Sequence, residues 1–317
     1  MLRRRGAALA LSLCANTVAA AGDLAFVPSQ LADAVSVVDL TTMKTVAKIP
    51  VGGKPAGVSV AMQAGRAYVT SPEGPTLTII DIGSRSAVGT VAVGGGPLGV
   101  VVPPSGTPVY VADWYQHRIT VVDPVTRAVT GHIPVGQSPS GLAVTNDGAL
   151  LVSADRDDNQ LSLIDTHSQR VLATVKVGGR PFGVTLSADG RYAYSANVMT
   201  NDVSVVDLAA QRVIATVKVG ERPYAVALAG DRAFVTNQYA GTVSVFDTRS
   251  FEMIKTVPVG EYPEGIETAP DGRSVYVVNW GDSRVSRIDV ASLRVTANAD
   301  AADGPRGFGN FIWHPPF

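Results

Sequence analysis

Apolar and polar residues alternate in short runs along the whole chain, and this alternation predicts β-strands. One segment shows four successive runs, Phe182–Leu186, Tyr192–Ala196, Val203–Val206 and Val213–Val217. The runs are rich in β-branched and aromatic residues, and Gly, Asp and Asn clusters separate them, as is typical of strands joined by tight turns. A helical period of 3.6 residues persists nowhere along the chain. The segment is therefore predicted to be a four-stranded antiparallel meander.

The same unit recurs along the chain. The phrase Val-Gly-x-x-Pro begins six times, at intervals of 42, 42, 42, 42 and 40 residues, at Val51, Val93, Val135, Val177, Val219 and Val259. Repetition at this period indicates one supersecondary unit copied around or along an axis. A second pattern, Ser/Thr-x-x-Asp in the predicted third strand, occurs seven times and ends at Asp39, Asp81, Asp123, Asp165, Asp207, Asp247 and Asp289. Seven units are therefore expected.

The two ends of the chain complete each other in this count. The N-terminal part supplies strands near Leu24–Val27, Val35–Val38 and Thr45–Ile49 but no first strand, and the C-terminal part supplies only a first strand, Arg306–Phe311. Joining them in one blade closes a ring and leaves no open sheet edge around the circle. An open solenoid would instead need polar caps at both ends. We predict an all-β protein, a seven-bladed β-propeller of four-stranded antiparallel blades over residues 22–317.

Three residue types recur at fixed positions of the repeat, and each has a predicted structural role. Prolines at 50, 134 and 258 fall in the fourth strand, which should be an outer edge because proline donates no ladder hydrogen bond. The seven aspartates should cap turns with their side chains. A glycine two places after each loop proline should allow close backbone approach near the axis. These glycines are Gly57, Gly99, Gly141, Gly183, Gly265 and Gly307.

The second strands carry a family resemblance. Tyr68–Ser71, Phe234–Asn237 and Tyr276–Asn279, with the Val-Gly-x-x-Pro-x-Gly phrase and the closing aspartate, resemble the repeats of YVTN-family β-propeller proteins. The resemblance extends from about Leu24 to Ile312 and implies a seven-bladed propeller of an exported bacterial type. It implies little about function, because the repeat itself is structural. The sequence departs from the pattern at Val152, Ala225 and Ala301–Ala302.

The N-terminal residues and the charge balance exclude several functions. Arg3–Arg5, the apolar stretch Gly6–Val18 and Ala19–Ala21 predict a signal peptide over residues 1–21, and hence a periplasmic or secreted protein. The only cysteine, Cys14, lies in this segment, so the mature chain should have no disulfide, thiolate site or covalent c-type haem. A mature chain without basic runs is a poor nucleic-acid binder. No later segment has the roughly 18 apolar residues that span a membrane. We also expect the protein to be a monomer.

The loops that enter the first strand and leave the second strand should lie on one face, here called the loop face, at the mouth of the central channel. Its variable positions combine aromatic and basic residues, the types that anchor protein interfaces. We predict a non-catalytic protein that binds a protein partner or a small ligand there. The alternative is that these side chains only pack over neighbouring blades. The candidate binding residues are Trp114, Tyr115, His117, Arg180, Arg222, Tyr239, Tyr262 and Trp280.

Catalytic and metal chemistry has weak candidates. Glu267, on an inner strand among small and apolar residues, could act as an acid or base, or could simply reach channel water. Glu264 and Arg306 are expected to form an exposed ion pair. The four histidines map to different places, Asp155–Asn159 fits a solvated loop better than a calcium site, and we predict no metal and no cofactor. Two alternatives remain open: a lactonase- or lyase-like enzyme, by fold analogy, and an accessory factor of a periplasmic quinone-linked or redox system.

Overall fold

A computed structural model describes residues 22–315, which form seven sheets arranged as the blades of a closed ring, each with a four-stranded antiparallel meander. The predicted all-β, seven-bladed propeller is therefore confirmed. The signal peptide predicted for residues 1–21 lies outside the described residues. Within residues 22–315 no helix has the length and hydropathy needed to cross a membrane.

Each blade is a meander whose first strand lines the axis and whose fourth strand lies at the perimeter. Blade 1 contains β1 (Leu24–Ser29), β2 (Ala34–Asp39) and β3 (Lys44–Pro50), and blade 2 contains β4 (Gly57–Ala61), β5 (Arg66–Ser71), β6 (Thr76–Asp81) and β7 (Ser86–Ala92). Blade 3 contains β8 (Pro97–Val101), β9 (Val109–Asp113), β10 (Arg118–Asp123) and β11 (Ala128–Pro134). Blade 4 contains β12 (Pro139–Val144), β13 (Leu150–Asp155), β14 (Gln160–Asp165) and β15 (Arg170–Lys176).

The remaining blades repeat this plan. Blade 5 contains β16 (Pro181–Leu186), β17 (Tyr192–Asn197), β18 (Asp202–Asp207) and β19 (Arg212–Lys218). Blade 6 contains β20 (Pro223–Ala229), β21 (Arg232–Asn237), β22 (Thr242–Asp247) and β23 (Met253–Pro258), and blade 7 contains β24 (Pro263–Thr268), β25 (Ser274–Asn279), β26 (Arg284–Asp289) and β27 (Arg294–Asp300). Two short strands, β28 (Phe308–Asn310) and β29 (Ile312–Trp313), follow blade 7. The four strands predicted in blade 5 all form.

The core lies between blades. The second and third strands are buried along almost their whole length, whereas the fourth strands are largely exposed. Each apolar cluster combines side chains from adjacent blades; one joins Tyr68 and Leu77 of blade 2 to Val109 and Val111 of blade 3. Each fully buried Val, Leu or Ile contributes about 1.5–3 kcal/mol. The prolines of β3, β11 and β23 end these outer strands, as predicted.

Ring closure differs from the prediction. The segment Arg306–Phe311 was expected to be one first strand of blade 1. Instead β28 pairs in parallel with β4 of blade 2, and only β29 pairs antiparallel with β1, through Leu24–Trp313 and Ala25–Ile312. The cause is local: Gly307 and Gly309 have φ values of 57° and 122°, which interrupt regular strand geometry between the two pieces.

The first-strand glycines explain the tight axis. A Cβ at Gly99 would lie 2.0 Å from the Ser140 carbonyl oxygen of the next blade, and one at Gly57 would lie 2.0 Å from the Leu98 carbonyl oxygen. The same conflict with a neighbouring first-strand backbone occurs at Gly141, Gly183 and Gly265. Gly307 is different, because its Cβ would meet the Val278 side chain. The predicted close approach is thus confirmed at five of the six glycines.

The seven closing aspartates cap turns, as predicted. In each blade the carboxylate accepts at least one backbone N–H from the following turn; Asp39, for example, accepts those of Thr41 and Thr42 at 2.9 and 2.8 Å. Such hydrogen bonds hold the pKa of most of these carboxyls below the usual range. At Asp165, for example, the Ser168 hydroxyl and the Ser168 backbone N–H lower the pKa. The same bonds recur at Asp81, Asp123, Asp165, Asp207, Asp247 and Asp289.

Candidate functional site

Buried polar pairs fix the backbone of the loop face. In blades 5 and 6 the asparagine that ends the second strand donates to the Ser of the third strand, which also accepts an N–H from the loop glycine. In blade 5, Asn197 Nδ2 donates to Ser204 Oγ at 2.9 Å, and the Gly178 N–H donates to the same oxygen at 3.1 Å. These bonds give the third-strand serines of the two blades a structural role.

Non-glycine residues in the left-handed region stand just before the loop prolines. Arg180, Arg222 and Tyr262 have φ values of 54°, 57° and 51°. Side-chain acceptors hold this conformation; the Arg222 N–H donates to Asn201 Oδ1 at 2.8 Å. Such a conformation costs about 1–3 kcal/mol for a residue with a Cβ. Gly304 occupies the equivalent place without that cost.

Four predicted binding residues meet in one row across blades 6 and 7, here called the aromatic ladder: Arg222, Tyr239, Tyr262 and Trp280. The Arg222 guanidinium lies 4.5 Å from the centre of the Tyr239 ring, and its Nη1 donates to the Tyr239 hydroxyl at 2.7 Å. Tyr239 meets Tyr262 edge to face at 6.1 Å and 81°, and Tyr262 meets Trp280 at 6.1 Å and 84°. Edge-to-face pairs each contribute about 0.5–1.5 kcal/mol beyond burial, so the row is preorganised.

The other four predicted residues do not join this ladder. Trp114 packs under the Arg156 guanidinium at 5.3 Å, and Tyr115 beside it is 72% exposed. His117 is used structurally, since its Nδ1 accepts the Ser138 N–H at 3.1 Å. The Arg180 guanidinium reaches only to 4.0 Å from the Asp157 carboxylate.

Two further exposed residues on this face were not predicted. Leu31 and Met199 occupy the second position after their second strands, the same position as Tyr115 and Tyr239, and all four side chains are more than half exposed. Aligning the loops by that position, rather than looking for aromatic and basic types, would have found them. Four of the seven blades therefore present a large, exposed, mainly apolar side chain at one equivalent place.

The mouth of the central channel on the loop face is filled. Phe182 lies 4.3 Å from Tyr224 and 4.9 Å from Phe308 between ring centres, and Tyr224 lies 5.6 Å from Phe308. Leu98 and Trp114 pack against these three rings. The loop face was expected to open into the channel. Instead the aromatic ladder lies on a surface around a closed centre.

The predicted pair between Glu264 and Arg306 forms, but it is buried rather than exposed. Arg306 Nε donates to Glu264 Oε2 at 2.7 Å, and Nη2 donates to the Tyr224 hydroxyl at 2.9 Å. Gln238 Nε2 also donates to the Glu264 carboxylate, at 2.6 Å. Burial raises the pKa of Tyr224, and the Arg306 charge opposes that rise. The network is structural and ties the C-terminal segment to blades 6 and 7.

A cavity of about 390 Å³ occupies the channel below the aromatic plug. First strands line it, together with the hairpin residues Thr145, Asn146 and Ser187 at the far face, and none of the eight predicted loop-face residues contributes. Glu267 is its only ionisable lining residue among those described. Its Oε2 accepts the backbone N–H groups of Phe311 and Ile312 at 2.5 and 2.7 Å. Burial raises its pKa to about 8, opposed by these two bonds.

The remaining polar candidates are used within the fold. Asp155 is buried and accepts the Ser153 hydroxyl and the Gly136 N–H at 2.8 and 3.1 Å, and burial raises its pKa. Asp157 and Asp158 accept donors from the loop containing Gln137 and Ser138. The solvated loop predicted for Asp155–Asn159 is therefore partly wrong, because its first residue is in the core. Among residues 22–315 no cluster of three or more His, Cys, Asp or Glu side chains could hold a metal ion.

Two family models match parts of the chain. A family described as "YNCE-like beta-propeller" matches residues 4–104, and one described as "Cytochrome D1 heme domain" matches residues 145–268. The chain is a seven-bladed propeller consistent with the YVTN type. A comparison with curated protein sequences returned no match.

Solved structures share the propeller fold at low identity. A functionally unknown protein from Desulfotomaculum acetoxidans DSM 771 has a TM-score of 0.78 at 16% identity, over 92% of this chain and 99% of that chain. Hydrazine synthase from Kuenenia stuttgartiensis has a TM-score of 0.73 at 19% identity, over 80% of this chain and 88% of that chain. At this identity the similarities show the propeller fold and not an activity.

The residues of this propeller do not fit a haem on the loop face. The region that matches the haem domain contains one histidine, His167, in the turn between β14 and β15 on the opposite face. The channel mouth, where a flat macrocycle would have to enter, is filled by Phe182, Tyr224 and Phe308. The match is therefore interpreted as similarity of the propeller repeat.

Proposed function

We propose that this protein is an exported, non-catalytic propeller that binds a protein partner through the loop face, with the aromatic ladder as the centre of the interface. The observation that carries the proposal is the ladder itself: Tyr239 and Tyr262 remain about half exposed although Arg222 and Trp280 hold them in fixed orientations. Tyr, Trp and Arg are the residues that dominate binding energy in protein interfaces, above all where they are held rigid.

The shape of the face favours a protein over a small ligand. The ladder lies around a plugged channel and contributes no residue to the cavity inside it, whereas small-molecule sites are concave and enclose most of their ligand. Leu31, Tyr115 and Met199 present exposed side chains on three further blades of the same face.

Export rests on the sequence of residues 1–21, and a periplasmic or extracellular partner follows from it. A second candidate is an accessory factor of a redox system. It is favoured by the match of residues 145–268 to a cytochrome D1 haem-domain family and by the similarity of the fold to hydrazine synthase. On that reading the partner itself belongs to the redox system. The lactonase- or lyase-like alternative stays a prediction without a supporting contact.

The experiment is capture followed by measured affinity. The full chain is expressed with its own N-terminal segment in the native host, crosslinked, and its partner identified by mass spectrometry. The partner is then purified, and its affinity is compared between the intact protein, Tyr239→Ala and Tyr262→Gly. The matched control is Leu172→Ala, which removes an equally exposed apolar side chain from β15 at the perimeter.

We expect each ladder variant to weaken binding at least tenfold, which is about 1.4 kcal/mol, and the control to leave it unchanged. Tyr262→Gly is informative because glycine adopts the left-handed conformation without strain, and thermal melting of each variant separates a loss of binding from unfolding. Equal affinity of all four proteins would place the interface elsewhere. Failure of the intact protein to capture any partner would overturn the proposal.

A further inference from the structure

The cavity inside the channel is a second site, separate from the loop face. It has about 390 Å³ of space, within the range of small-ligand pockets, and its walls come from the first strands of several blades. Val184, Val226 and Ile266 are among the apolar residues that line it. The aromatic plug closes one end, so a ligand would enter from the face that carries the hairpin turns.

The polar groups of this cavity are almost all acceptors. The hydroxyl hydrogens of Thr185 and Thr268 are donated to the carbonyls of Val226 and Leu228 at 2.6 and 2.9 Å, so only lone pairs remain for a ligand. The Thr145 and Ser187 hydroxyls and the Asn146 amide likewise donate to acceptors of the protein. Donors are few among the lining side chains: Asn146 keeps its second amide hydrogen, and Asn310 carries the other side-chain amide.

The carboxylate of Glu267 has free capacity. Both hydrogen bonds recorded for it go to Oε2, from the Phe311 and Ile312 N–H groups, which leaves Oε1 for a donor in the channel. Among residues 22–315 no cationic side chain acts on the pKa of this carboxylate. Its cross-strand neighbour is Tyr276, the other carboxylate of β24 is committed to Arg306, and beyond Ile312 the nearest titratable group is His314, which pairs with Asp23.

We propose that the channel binds a small organic cation with a primary ammonium group, held by the Glu267 carboxylate. An ammonium group carries three donors and no acceptor, so it matches a wall of acceptors beside one uncompensated carboxylate. A short apolar chain on the ligand would lie against the Val and Ile side chains. A divalent metal suits this site less, since a single carboxylate supplies too few oxygen ligands.

Binding of such a cation is linked to a proton. Because burial raises the pKa of Glu267 to about 8, the empty site is mostly protonated at pH 7. The ammonium group requires the ionised carboxylate, so binding releases one proton. The affinity should therefore rise by up to about tenfold per pH unit as the pH approaches 8, and should level off above it.

The test uses n-butylammonium as the probe and n-butanol as its neutral control. Calorimetric titrations of the full chain are carried out between pH 6 and pH 9, in two buffers of different ionisation enthalpy to count protons released. Glu267→Gln keeps the acceptor for Phe311 and Ile312 but removes the charge. Ala143→Leu narrows the channel wall without altering the carboxylate, and it provides a second variant if Glu267→Gln is unstable.

We expect saturable binding of butylammonium to the intact protein with release of about one proton at pH 7. Affinity should fall at least tenfold in Glu267→Gln and also fall in Ala143→Leu, and butanol should not distinguish the intact protein from Glu267→Gln. Absence of saturable binding at millimolar probe overturns the proposal. So does equal binding to the intact protein and Glu267→Gln, or binding without proton release.

Discussion

Arg306 of the C-terminal segment and Glu264 of β24 form a buried ion pair in which Nε lies 2.7 Å from Oε2 and Nη2 lies 3.2 Å from Oε1. The Glu264 side chain is only 4% exposed. The pair joins residues 42 positions apart, one full repeat, so it is a contact between equivalent places in the ring. It anchors the segment that continues into β28 and β29.

Arg306→Met should destabilise the protein by about 3–5 kcal/mol, because it leaves Glu264 buried with an uncompensated charge. The matched control is Arg284→Met. That residue forms an ion pair with Asp300 in which both side chains are more than half exposed, and its loss should change stability by at most about 1 kcal/mol. Denaturant titration measures both. Similar losses in the free energy of unfolding for the two variants would show that burial of the Glu264 pair does not increase its contribution to stability.

Deleting residues 306–317 should be more damaging than any single truncation in the core. The deletion removes both closing strands and the Arg306 network, whereas Ile133→Val removes one methylene from one interface and should cost about 0.5–1.5 kcal/mol. Thermal melting compares the two. A deleted protein that melts within about 3 °C of the intact one, roughly 1 kcal/mol for a chain of this size, contradicts the expectation.

Gly99→Ala tests the crowding at the axis. Its Cβ would stand 2.0 Å from the Ser140 carbonyl oxygen, and a backbone atom cannot move aside as a flexible side chain can. We expect a loss of about 1–3 kcal/mol from the forced backbone shift. Gly83→Ala is the control, because its Cβ would have only an ordinary contact of 3.5 Å with Asp81. An equal effect of both substitutions on unfolding would contradict the close-approach account.

Glu267 should make stability depend on pH. Its pKa of about 8 in the folded protein exceeds the ordinary value of 4.5, so between these values the folded state keeps a proton that the unfolded state has lost. Stability should therefore be greatest below about pH 4.5 as far as this group is concerned. It should fall by at most about 1.4 kcal/mol per pH unit as the pH rises towards 8, and change no further above it.

Comparison with Glu267→Gln isolates this contribution, since glutamine does not titrate. The difference in melting temperature between the variant and the intact protein should grow in favour of glutamine from pH 5 to pH 8. A constant difference over that range would mean that Glu267 is ionised in the folded protein throughout.

Asp155→Asn should stabilise the protein at neutral pH. Burial raises the pKa of Asp155, so its ionised form opposes folding, and three other blades already have asparagine at the equivalent place, at 197, 237 and 279. A gain of about 0.5–2 kcal/mol is typical of such substitutions towards a repeat consensus. Asp113→Asn provides the contrast. It weakens the ion pair with Arg118 and should destabilise, and the opposite order of the two variants in denaturant titration would contradict the argument.

The fold could be predicted because the residues that determine turns, outer strands and close approaches act through local contacts and recur in the repeats. Asp39 caps a turn within three residues, and the proline at 134 marks an outer strand by lacking a donor. The closing strands could not be predicted in detail, because Gly307 and Gly309 permit several backbone paths. The neighbouring β4 selects one of them through contacts that are remote in sequence.

The candidate site was predicted in part. Residue type alone indicated Tyr239, Tyr262 and Trp280, but only the structure shows that they touch one another. Residue type also indicated His117 as a binding residue, but its ring accepts the Ser138 N–H within the fold. The plugged channel could not be anticipated, because Phe182, Tyr224 and Phe308 meet at the axis from blades 42 and 84 residues apart.

Each apolar cluster combines side chains of neighbouring blades, and this has a consequence for fragments of the chain. A fragment of two or three blades would contain complete sheets and yet leave one apolar sheet face bare at each end. It would therefore tend to associate with other fragments or to stay open, and no blade is a unit of stability by itself. The sequence is repetitive, but the apolar core cannot be divided into independent blades.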